Sequence, residues 1–343
     1  MSSLVSICIP NYNGEKYLRE SLESALAQTY RNTEILVVDN GSTDESIAIA
    51  NEYARSDRRI RVVQNEKNLG PVPNFNRCIA LGRGEWIKFL FHDDLLEPEC
   101  IEKMLAANTH GKLMVVCDRE VIYDETSHDQ SNLANFIHCN NMATTFSGVT
   151  NISPESFCDA LLKKWMVNFI GEPVAVLLHR SVFPKYGVFN QDLIQLADLE
   201  YWARIASHEG ILYIPEKLAR FRLHTQAGTA RNHVSKKFRM TIDEVICCHN
   251  FAFLPIYESV RARAAQMGPP IHLQQILASL LQIARKSDQE QLSPEGKRTS
   301  ELAEITKNYP LLPRIKKIPL SCTASYYTWK IRNLFSTAGH YAA

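Results

Sequence analysis

The sequence predicts an α/β protein in which helices flank a mostly parallel central sheet and a helical extension follows at the C-terminus. From residue 4 onward, short apolar runs alternate with amphipathic segments, as in the strand and helix units of a parallel sheet. Beyond about residue 232, only helical periodicity remains. With 343 residues and 45% hydrophobic content, the chain is long enough to bury a large core.

Four strands are predicted in the first 120 residues, each an apolar run closed by turn-forming residues. Helices are predicted between them from apolar residues at helical spacing, at 18–26 and around 74–81. Ser42 and Glu45 have the spacing of a capping box, and Pro98 suits the first turn of a further helix. The predicted strands cover residues 4–10, 34–39, 60–63 and 86–91.

A polar, aperiodic stretch from about 125 to 151 predicts a long loop or insertion. After it, the sequence predicts a helix from residue 153, a strand at 173–179, a helix around 199–205, and short strands at 211–215 and 218–224. We therefore assign residues 1–231 to one domain, with halves at 1–120 and 151–231, and residues 232–343 to a helical C-terminal region.

Composition excludes several classes of protein. The formal net charge of +1 provides no broad basic field, so we expect no nucleic-acid partner. The nine cysteines show no C-x-x-C pair or metal-like spacing, and several lie in apolar segments, which favours a reducing compartment. Because no secretion signal and no window of about 18 apolar residues is found, the sequence predicts a cytoplasmic protein without membrane spans.

Polar clusters follow three of the predicted strands, at 10–13, 39–42 and 92–94. In an open parallel sheet, ligands bind beyond the carboxyl ends of the strands. Neither the G-x-G-x-x-G turn of a dinucleotide-binding domain nor the glycine-rich loop of a P-loop enzyme is present. The adjacent carboxylates Asp93 and Asp94 instead suggest a hard divalent cation that bridges to phosphate.

Two long stretches resemble the nucleotide-binding half of the family 2 glycosyltransferases, which have the GT-A fold. They are VSICIPNYNGEKYLRESLESALAQTYRNTEILVVDNGSTDES and NLGPVPNFNRCIALGRGEWIKFLFHDDLLEP. Two later stretches, GEPVAVLLHRSVF and LADLEYWARI, resemble the acceptor side of the same family. The resemblance covers roughly residues 4–225, and it implies an inverting glycosyltransferase.

The resemblance implies a binding site for a nucleoside diphosphate sugar, with UDP as the favoured nucleotide. By the family pattern, Tyr12 stacks on the base, Asp39 binds the base edge, and Asp93 matches the last Asp of the metal-binding D-x-D motif. The implied metal is Mn²⁺ or Mg²⁺, with His224 as a second candidate ligand. The implied nucleotide-sugar residues are Pro10, Asn11, Tyr12, Glu15, Asp39, Asn68, Gly70, Asn76 and Asp93.

On the acceptor side, the resemblance implies that Asp198 is the general base that removes the proton from the attacking hydroxyl. Glu172 and Trp202 are the implied acceptor contacts. The implied acceptor is a saccharide or a lipid-linked saccharide, as in the synthesis of cell-surface polysaccharide.

Several positions depart from the family pattern. Phe91 and His92 stand in the usual acidic run, Asn40 where a second Asp is usual, Phe75 where Arg is common, and Ala197 in place of a Glu. These departures keep open a non-catalytic glycan- or nucleotide-binding protein on the same scaffold. A nucleotidyltransferase is disfavoured, because the stretch NYNGEKY supplies only one Gly and one Lys for a phosphate-binding loop.

The candidate residues also have purely structural interpretations. These are a polar loop for Asp93, a turn for Asp39 and Glu172, packing for Tyr12, a satisfied structural histidine for His224, and a helix cap or a pair with Arg204 for Asp198.

The last predicted helical segment, Ile315 to Phe335, is amphipathic, basic and rich in aromatic residues. Its apolar face would pack on the catalytic domain or on the second subunit of a homodimer. Alternatively, it would make a peripheral contact with the inner face of the plasma membrane. The sequence leaves both alternatives open.

Overall fold

The computed structural model of the protein describes residues 2–124, 131–224, 237–291 and 300–315. These residues form two compact units. The first takes its described residues from 1–154, 168–191 and 208–227, and the second from 155–167, 192–207 and 228–343. This division differs from the predicted boundary at residue 231, because 155–167 and 192–207 belong with the C-terminal helices.

The strands described all belong to one sheet in the first unit. In chain order they are β1 (Val5–Asn11), β2 (Thr33–Asp39), β3 (Ile60–Gln64), β4 (Trp86–Phe89), β5 (Leu95–Leu96), β6 (Met114–Tyr123), β7 (Asn151–Ile152), β8 (Val176–His179) and β9 (Ile211–Leu223). Their order across the sheet is β3-β2-β1-β4-β8-β6-β9-β5, and β7 also pairs with β9.

The helices described occur in both units. In chain order they are α1 (Leu18–Leu26), α2 (Ser46–Ser56), α3 (Pro71–Leu81), α4 (Cys100–Ala107), α5 (Ser131–Cys139), α6 (Met142–Thr145), α7 (Pro154–Lys163), α8 (Val182–Tyr186), α9 (Ala197–Glu209), α10 (Lys237–Phe253), α11 (Glu258–Gln266), α12 (Leu273–Gln291) and α13 (Glu301–Thr306).

The predicted parallel half of the sheet is confirmed. β1 lies between β2 and β4 and is parallel to both, and β3 continues the parallel pairing beyond β2. Every residue of β1 is buried, as expected for a central strand of a sheet with helices on both faces. Because these strands run in the same direction, the polar residues that follow them lie at one edge of the sheet.

The other half of the sheet is more complex than the sequence predicts. β8 pairs antiparallel with both β4 and β6, so the sheet is mixed, and β6 and β9 run parallel to each other. β6 is absent from the sequence prediction, because Asp118, Arg119 and Glu120 interrupt its apolar pattern beside a register shift. The strands predicted at 211–215 and 218–224 are one continuous strand, β9.

Smaller differences have local causes. α2 begins at Ser46 without the predicted capping box, since the Ser42 hydroxyl bonds to Asp39 instead. The predicted long loop between the two halves contains α5 and α6. Pro98 lies two residues before α4 rather than in its first turn. The predicted segment 315–335 lies outside the described residues except for its first residue.

All the regular secondary structure described in the second unit is helical, as the sequence predicts for the C-terminal region. It contains most of α7 and α9 together with α10 to α13. α10 packs against α12. Among the described residues, no helix is long and apolar enough to cross a membrane. Buried apolar residues follow one face of α12 at helical spacing: Leu273, Leu277, Leu280, Leu281 and Ala284.

In the first unit, the turn before β9 packs closely against β7, and this contact can be tested. Gly210 has a φ of +67°, and a Cβ added there would lie 2.2 Å from the carbonyl oxygen of Ile152. We expect Gly210→Ala to lower the free energy of unfolding by about 2 to 4 kcal/mol, from left-handed strain and a backbone clash. Urea unfolding followed by circular dichroism measures this difference.

Gly111→Ala is the matched control. Gly111 has a similar φ of +64°, but nothing lies within 4 Å of an added Cβ. Only the conformational penalty of about 1 kcal/mol applies there. Equal losses for the two variants would contradict the close approach of Ile152.

Candidate active site

The carboxyl end of β2 forms a tight turn around the side chain of Asp39. One carboxylate oxygen accepts hydrogen bonds from the backbone N–H groups of Gly41 at 3.1 Å and Ser42 at 2.9 Å. The other accepts from the Ser42 hydroxyl and, at 2.7 Å, from the amide of Asn11. Asp39 is fully buried and holds the turn with both oxygens. Its predicted contact with a base stays a prediction.

Asn11 connects the segments that follow three strands. It pairs with Asp39 in the parallel register of β1 and β2, and its amide also donates to the Ser42 hydroxyl at 3.2 Å. On its other side it approaches Gly14, where an added Cβ would lie 2.3 Å from the Asn11 oxygen and 2.6 Å from the His92 ring. A larger residue at position 14 would force the Asn11 or His92 side chain to move. The end of β1 therefore meets both the Asp39 turn and the segment after β4.

The loop after β1 presents one candidate to solvent and fixes another against α2. Tyr12 is 38% exposed, so ring surface is available beside the Asp39 turn, whereas Pro10 is buried within β1. The Glu15 carboxylate accepts from the N–H of Glu45 at 3.0 Å, and the N–H of Glu15 donates to Asp44 at 3.0 Å. Glu15 therefore fastens this loop to the start of α2.

Asn40 is the centre of a network of amide side chains. Its nitrogen donates to Asn68 Oδ1 at 2.9 Å and to the carbonyl of Gly70 at 3.1 Å. Its oxygen accepts from Asn65 Nδ2 and from the backbone N–H of Leu69, both at 3.0 Å. Since a carbonyl needs a donor and an N–H needs an acceptor, an amide satisfies both sides and a carboxylate does not. This explains physically why Asn stands at position 40.

Two positions that depart from the family pattern contact each other. The rings of Phe75 and Phe91 stack with their centroids 5.1 Å apart, and Phe75 meets Phe189 edge-on at 5.9 Å. Asn76 bonds twice to the backbone of Phe189, donating to its carbonyl at 2.9 Å and accepting from its N–H at 3.0 Å. The structure therefore places Asn76 against this segment and not among the strand-end residues.

The two carboxylates after β4 lie in different environments. Burial raises the pKa of Asp94 well above its ordinary value, and the charge of Asp93 adds to the rise. For Asp93, burial acts in the same direction, but His92 and a hydrogen bond from His224 outweigh it and lower the pKa. Asp93 is therefore the ionised member of the pair. This outcome agrees with Asp93 as the candidate cation ligand.

Residues at the end of β9 form hydrogen bonds with Asp93 and Asp94. His224 Nε2 lies 2.9 Å from Asp93 Oδ2, although the two residues are 131 positions apart in the sequence. The backbone N–H of Arg222 donates to Asp94 Oδ1 at 3.0 Å, and its guanidinium donates to the carbonyl of Asp93 at 2.8 Å. These three bonds fix His224 beside Asp93.

Tyr17, in the loop after β1, packs against both His224 and Arg222. The ring of Tyr17 lies 4.9 Å from that of His224, and the guanidinium of Arg222 lies over Tyr17 at 4.6 Å. The Tyr17 hydroxyl donates to Asp124 at 2.5 Å, and Lys16 forms an ion pair with the same carboxylate. Tyr17, Asp124 and Arg222 are absent from the sequence prediction, since nothing local in the sequence indicates these contacts.

Glu172, a predicted acceptor contact, is paired with Arg119 of β6. The Arg119 side chain is almost completely buried and forms an ion pair with Glu172, whose side chain is 20% exposed. Glu172 directly precedes the short 3-10 turn Pro173–Ala175. It therefore keeps some exposed surface while its charge is compensated.

The remaining acceptor-side candidates belong to the second unit. Asp198 lies in the first turn of α9, and its carboxylate accepts from the N–H of Leu199 at 2.7 Å. Trp202 has no exposed surface, and its ring lies 5.8 Å from that of Tyr201. Arg204 pairs with Glu200. As placed, Trp202 is a core residue, while the catalytic role of Asp198 stays a prediction.

The donor atoms at Asp93 fit a divalent ion that arrives with other ligands. Among the described residues, no group of three or more His, Cys, Asp or Glu side chains could hold a metal. Asp93 is the oxygen ligand that Mg²⁺ and Mn²⁺ prefer, and phosphate oxygens and water complete the shell of such ions. His224 bonds to Asp93 and so fixes the orientation of its carboxylate.

The structure gathers most of the predicted donor residues at one edge of the sheet, around the segments after β1, β2 and β4. Asn65 has a similar position after β3 and could have been found by the same strand-end argument. Gathered there through the contacts given above are Asn11, Asp39, Asn68, Gly70, Asp93 and His224, and the exposed Tyr12 directly follows Asn11.

The sequence and the fold of this chain are similar to those of known glycosyltransferases. The family model described as Glycosyl transferase family 2 matches residues 6–170. An uncharacterized glycosyltransferase of Rickettsia prowazekii is 31% identical over 233 residues, which are 66% of this chain and 66% of that protein.

Two solved structures share the fold. One is Staphylococcus aureus TarS 1–349 in complex with UDP-GlcNAc, with a TM-score of 0.59 and 16% sequence identity. The match covers 98% of this chain and 91% of the TarS chain. Mannosyltransferase PcManGT from Pyrobaculum calidifontis, in complex with GDP-Man and Mn²⁺, has a TM-score of 0.52 and 15% identity, covering 98% and 86%. At such identities the similarity shows the fold alone, and it confirms the predicted glycosyltransferase fold.

The amide network predicts the effect of restoring an acid at position 40. Asn40→Asp removes both donated bonds and places a carboxylate against the oxygens of Asn68 and Gly70. We expect a loss of about 2 to 4 kcal/mol in the free energy of unfolding at pH 7, because each orphaned buried acceptor costs about 1 to 3 kcal/mol. Urea unfolding measures it.

Asn13→Asp is the matched control for this change. Asn13 Oδ1 accepts from the N–H of Thr43 at 2.9 Å, a bond that a carboxylate keeps. We expect its stability to stay within about 0.5 kcal/mol of the parent protein, as for most surface changes. Similar losses for the two variants would show that Asn40 does not depend on its donor atoms.

Proposed function

Because this chain belongs to glycosyltransferase family 2, we propose that it moves a sugar from a nucleoside diphosphate donor, preferably a UDP-sugar, to a hydroxyl of a saccharide. One observation carries the proposal most directly. The ends of β1, β2 and β4 meet at one edge of the sheet, where Tyr12 is exposed and the ionised Asp93 is held by His224.

In the proposed donor complex, the base stacks on the exposed ring of Tyr12 beside the Asp39 turn. Stacking on an aromatic ring contributes about 1 to 3 kcal/mol per base in other nucleotide-binding proteins. Asn68 and Gly70, joined to Asn40, border the same turn. Both carboxylate oxygens of Asp39 already accept hydrogen bonds within the turn. Its proposed contribution to base binding therefore includes fixing the conformation of this loop.

The diphosphate would lie at Asp93, with Mn²⁺ or Mg²⁺ between them. Such an ion neutralises negative charge on the leaving diphosphate, a contribution worth several kcal/mol. Support comes from the ionised state of Asp93 and from its orientation by His224. The relative PcManGT was solved with GDP-Man and Mn²⁺.

For the transfer step, we assign the general base to Asp198. The acceptor oxygen forms a bond to the anomeric carbon, the bond from that carbon to the diphosphate oxygen breaks, and the acceptor proton passes to the Asp198 carboxylate. A single displacement of this kind inverts the anomeric configuration. Glu172, which is partly exposed and paired with Arg119, is proposed to contact the acceptor.

The proposed acceptor is a saccharide or lipid-linked saccharide, with the enzyme acting at the cytoplasmic side of the plasma membrane. The evidence for this part is the family resemblance of the sequence alone. The membrane or homodimer contact predicted for 315–335 lies outside the described residues except for residue 315.

Two carboxylate variants test the transfer. In Asp93→Ala, we expect metal-dependent release of nucleoside diphosphate from a panel of nucleotide sugars to fall below detection, because the donor loses its charged anchor. In Asp198→Asn, we expect the release rate with acceptor to fall about 100- to 10,000-fold, as for loss of a general base. Coupled detection of the released nucleotide measures both.

Asp57→Asn is the control, since Asp57 pairs with Arg59 between α2 and β3 and lies away from the strand-end residues. It should release nucleotide at the parent rate. Tight nucleotide-sugar binding by the parent protein without any release would instead favour the non-catalytic binding protein, which the presence of Phe91 and Ala197 keeps as the second candidate.

Thermal unfolding identifies the nucleotide. We expect UDP with Mn²⁺ to raise the melting temperature more than GDP, dTDP or CMP does, because a ligand that binds only the native state stabilises it. In Tyr12→Ala, the affinity for UDP should fall about 5- to 150-fold, the equivalent of one lost stacking contact. Phe136→Ala, at another exposed aromatic residue of the first unit, should bind like the parent protein. Equal binding by the two variants would argue against the Tyr12 assignment.

A further inference from the structure

A buried carboxylate in the second unit holds the backbone immediately before α9. Asp243 of α10 is fully buried, and its Oδ2 accepts hydrogen bonds from three successive backbone N–H groups. They belong to Ile194 (2.9 Å), Gln195 (2.6 Å) and Leu196 (3.1 Å). A single carboxylate oxygen that binds three consecutive N–H groups fixes the path of that segment.

The segment held by Asp243 leads directly to the proposed base. The carbonyl of Leu196 accepts the first helical hydrogen bond, from the N–H of Glu200 at 2.9 Å. Asp198 is therefore two residues beyond the last N–H that Asp243 binds, in the first turn of α9. Any shift of residues 194–196 changes the position of the Asp198 carboxylate.

A second residue on α10 holds the other end of the same segment. Arg239, four residues before Asp243 and thus on the same helical face, donates to the carbonyl of Asp192 and lies 3.1 Å from the Asp243 carboxylate. Its Nη1 donates to the Glu301 carboxylate at 3.0 Å. Arg239 thus binds the carbonyl of Asp192, and Asp243 binds the N–H groups of residues 194–196.

Burial disfavours the ionised form of the Asp243 carboxylate. It raises the pKa of Asp243, and the charge of Arg239 and the three backbone N–H groups oppose that rise. An apolar residue would avoid the cost but would leave three backbone N–H groups, of which that of Leu196 is buried, without their acceptor. The arrangement therefore fits a backbone that must keep one position.

We propose that Asp243 is a positioning residue for catalysis, which sets the first turn of α9 so that Asp198 reaches the acceptor hydroxyl. The inference rests on the proposed function, in which Asp198 is the general base. A base must come within hydrogen-bond distance of the proton that it removes, and a displacement of about 1 Å costs on the order of 100-fold in rate. Asp243 itself touches neither substrate.

The test uses the full-length protein and the nucleotide-release assay with acceptor. In Asp243→Ala, we expect kcat to fall at least tenfold while the KM for the donor stays within twofold, because the proposed donor residues belong to the first unit. Asp243→Asn keeps an oxygen acceptor and should recover part of kcat. If the alanine variant does not fold, the asparagine variant is judged by the same separation of kcat from KM.

A double variant separates positioning from general damage. If Asp243 acts through Asp198, adding Asp243→Ala to Asp198→Asn should slow the reaction no further. A further tenfold loss, an unchanged kcat in Asp243→Ala, or a donor KM that rises as kcat falls would overturn the inference.

Val245→Ala is the matched structural control. Val245 lies two residues beyond Asp243 on the same helix and is fully buried, so its truncation weakens packing and keeps the Asp243 carboxylate. It should lower the melting temperature and leave kcat within twofold of the parent value. A tenfold fall in kcat here would show that any damage to α10 produces the effect, and would overturn the proposal.

Failure of the inference and failure of the proposed function have different signatures. An active parent protein that is slowed by Asp198→Asn but not by Asp243→Ala contradicts only the positioning role. A parent protein that releases no nucleotide from any donor contradicts the transferase proposal itself.

Discussion

The hydrogen bond from the Asn11 amide to the Asp39 carboxylate is the contact on which the candidate site depends. It joins the last residues of β1 and β2, which the parallel register places side by side. Gly14 then lets the Asn11 side chain approach His92, so the segment after β4 is brought to the same point. Without parallel pairing of β1 with both neighbours, the base-stacking candidate Tyr12 and the ionised Asp93 would have no common edge.

Polar groups at this edge are not all satisfied by the protein. Among the described residues, the buried atoms Asn11 Oδ1, His92 Nδ1 and Asp94 Oδ2 have no hydrogen-bond partner. Each such atom costs about 1 to 3 kcal/mol, and natural structures keep few of them. These three atoms belong to the segments next to the proposed diphosphate position, where a polar ligand would satisfy them.

The sequence predicts the strands whose side chains are mostly apolar and which end in, or are closely followed by, Asn or Asp. β1, β2, β3 and β4 follow that rule, and their polar ends yielded most of the candidate site. β6 is not predicted because residues 118–120 interrupt its apolar pattern at a register shift. Asp124, which directly follows β6, is therefore not predicted as a strand-end residue. Contacts such as His224 with Asp93 depend on chain folding across 131 residues, so only family resemblance pointed to them.

Two of the departures from the family pattern are explained together, because the residues contact each other. Phe91 replaces an acid and Phe75 stands where Arg is common, and their rings stack at 5.1 Å. A lone acid at 91 would face an aromatic ring, and a lone Arg at 75 would lack a counter-charge, so a change at one position favours a change at the other. Exchanging both for aromatic residues removes opposite charges together and leaves the net charge of the site unchanged. Asp93, held by His224, is then left as the carboxylate that would face a diphosphate and its cation.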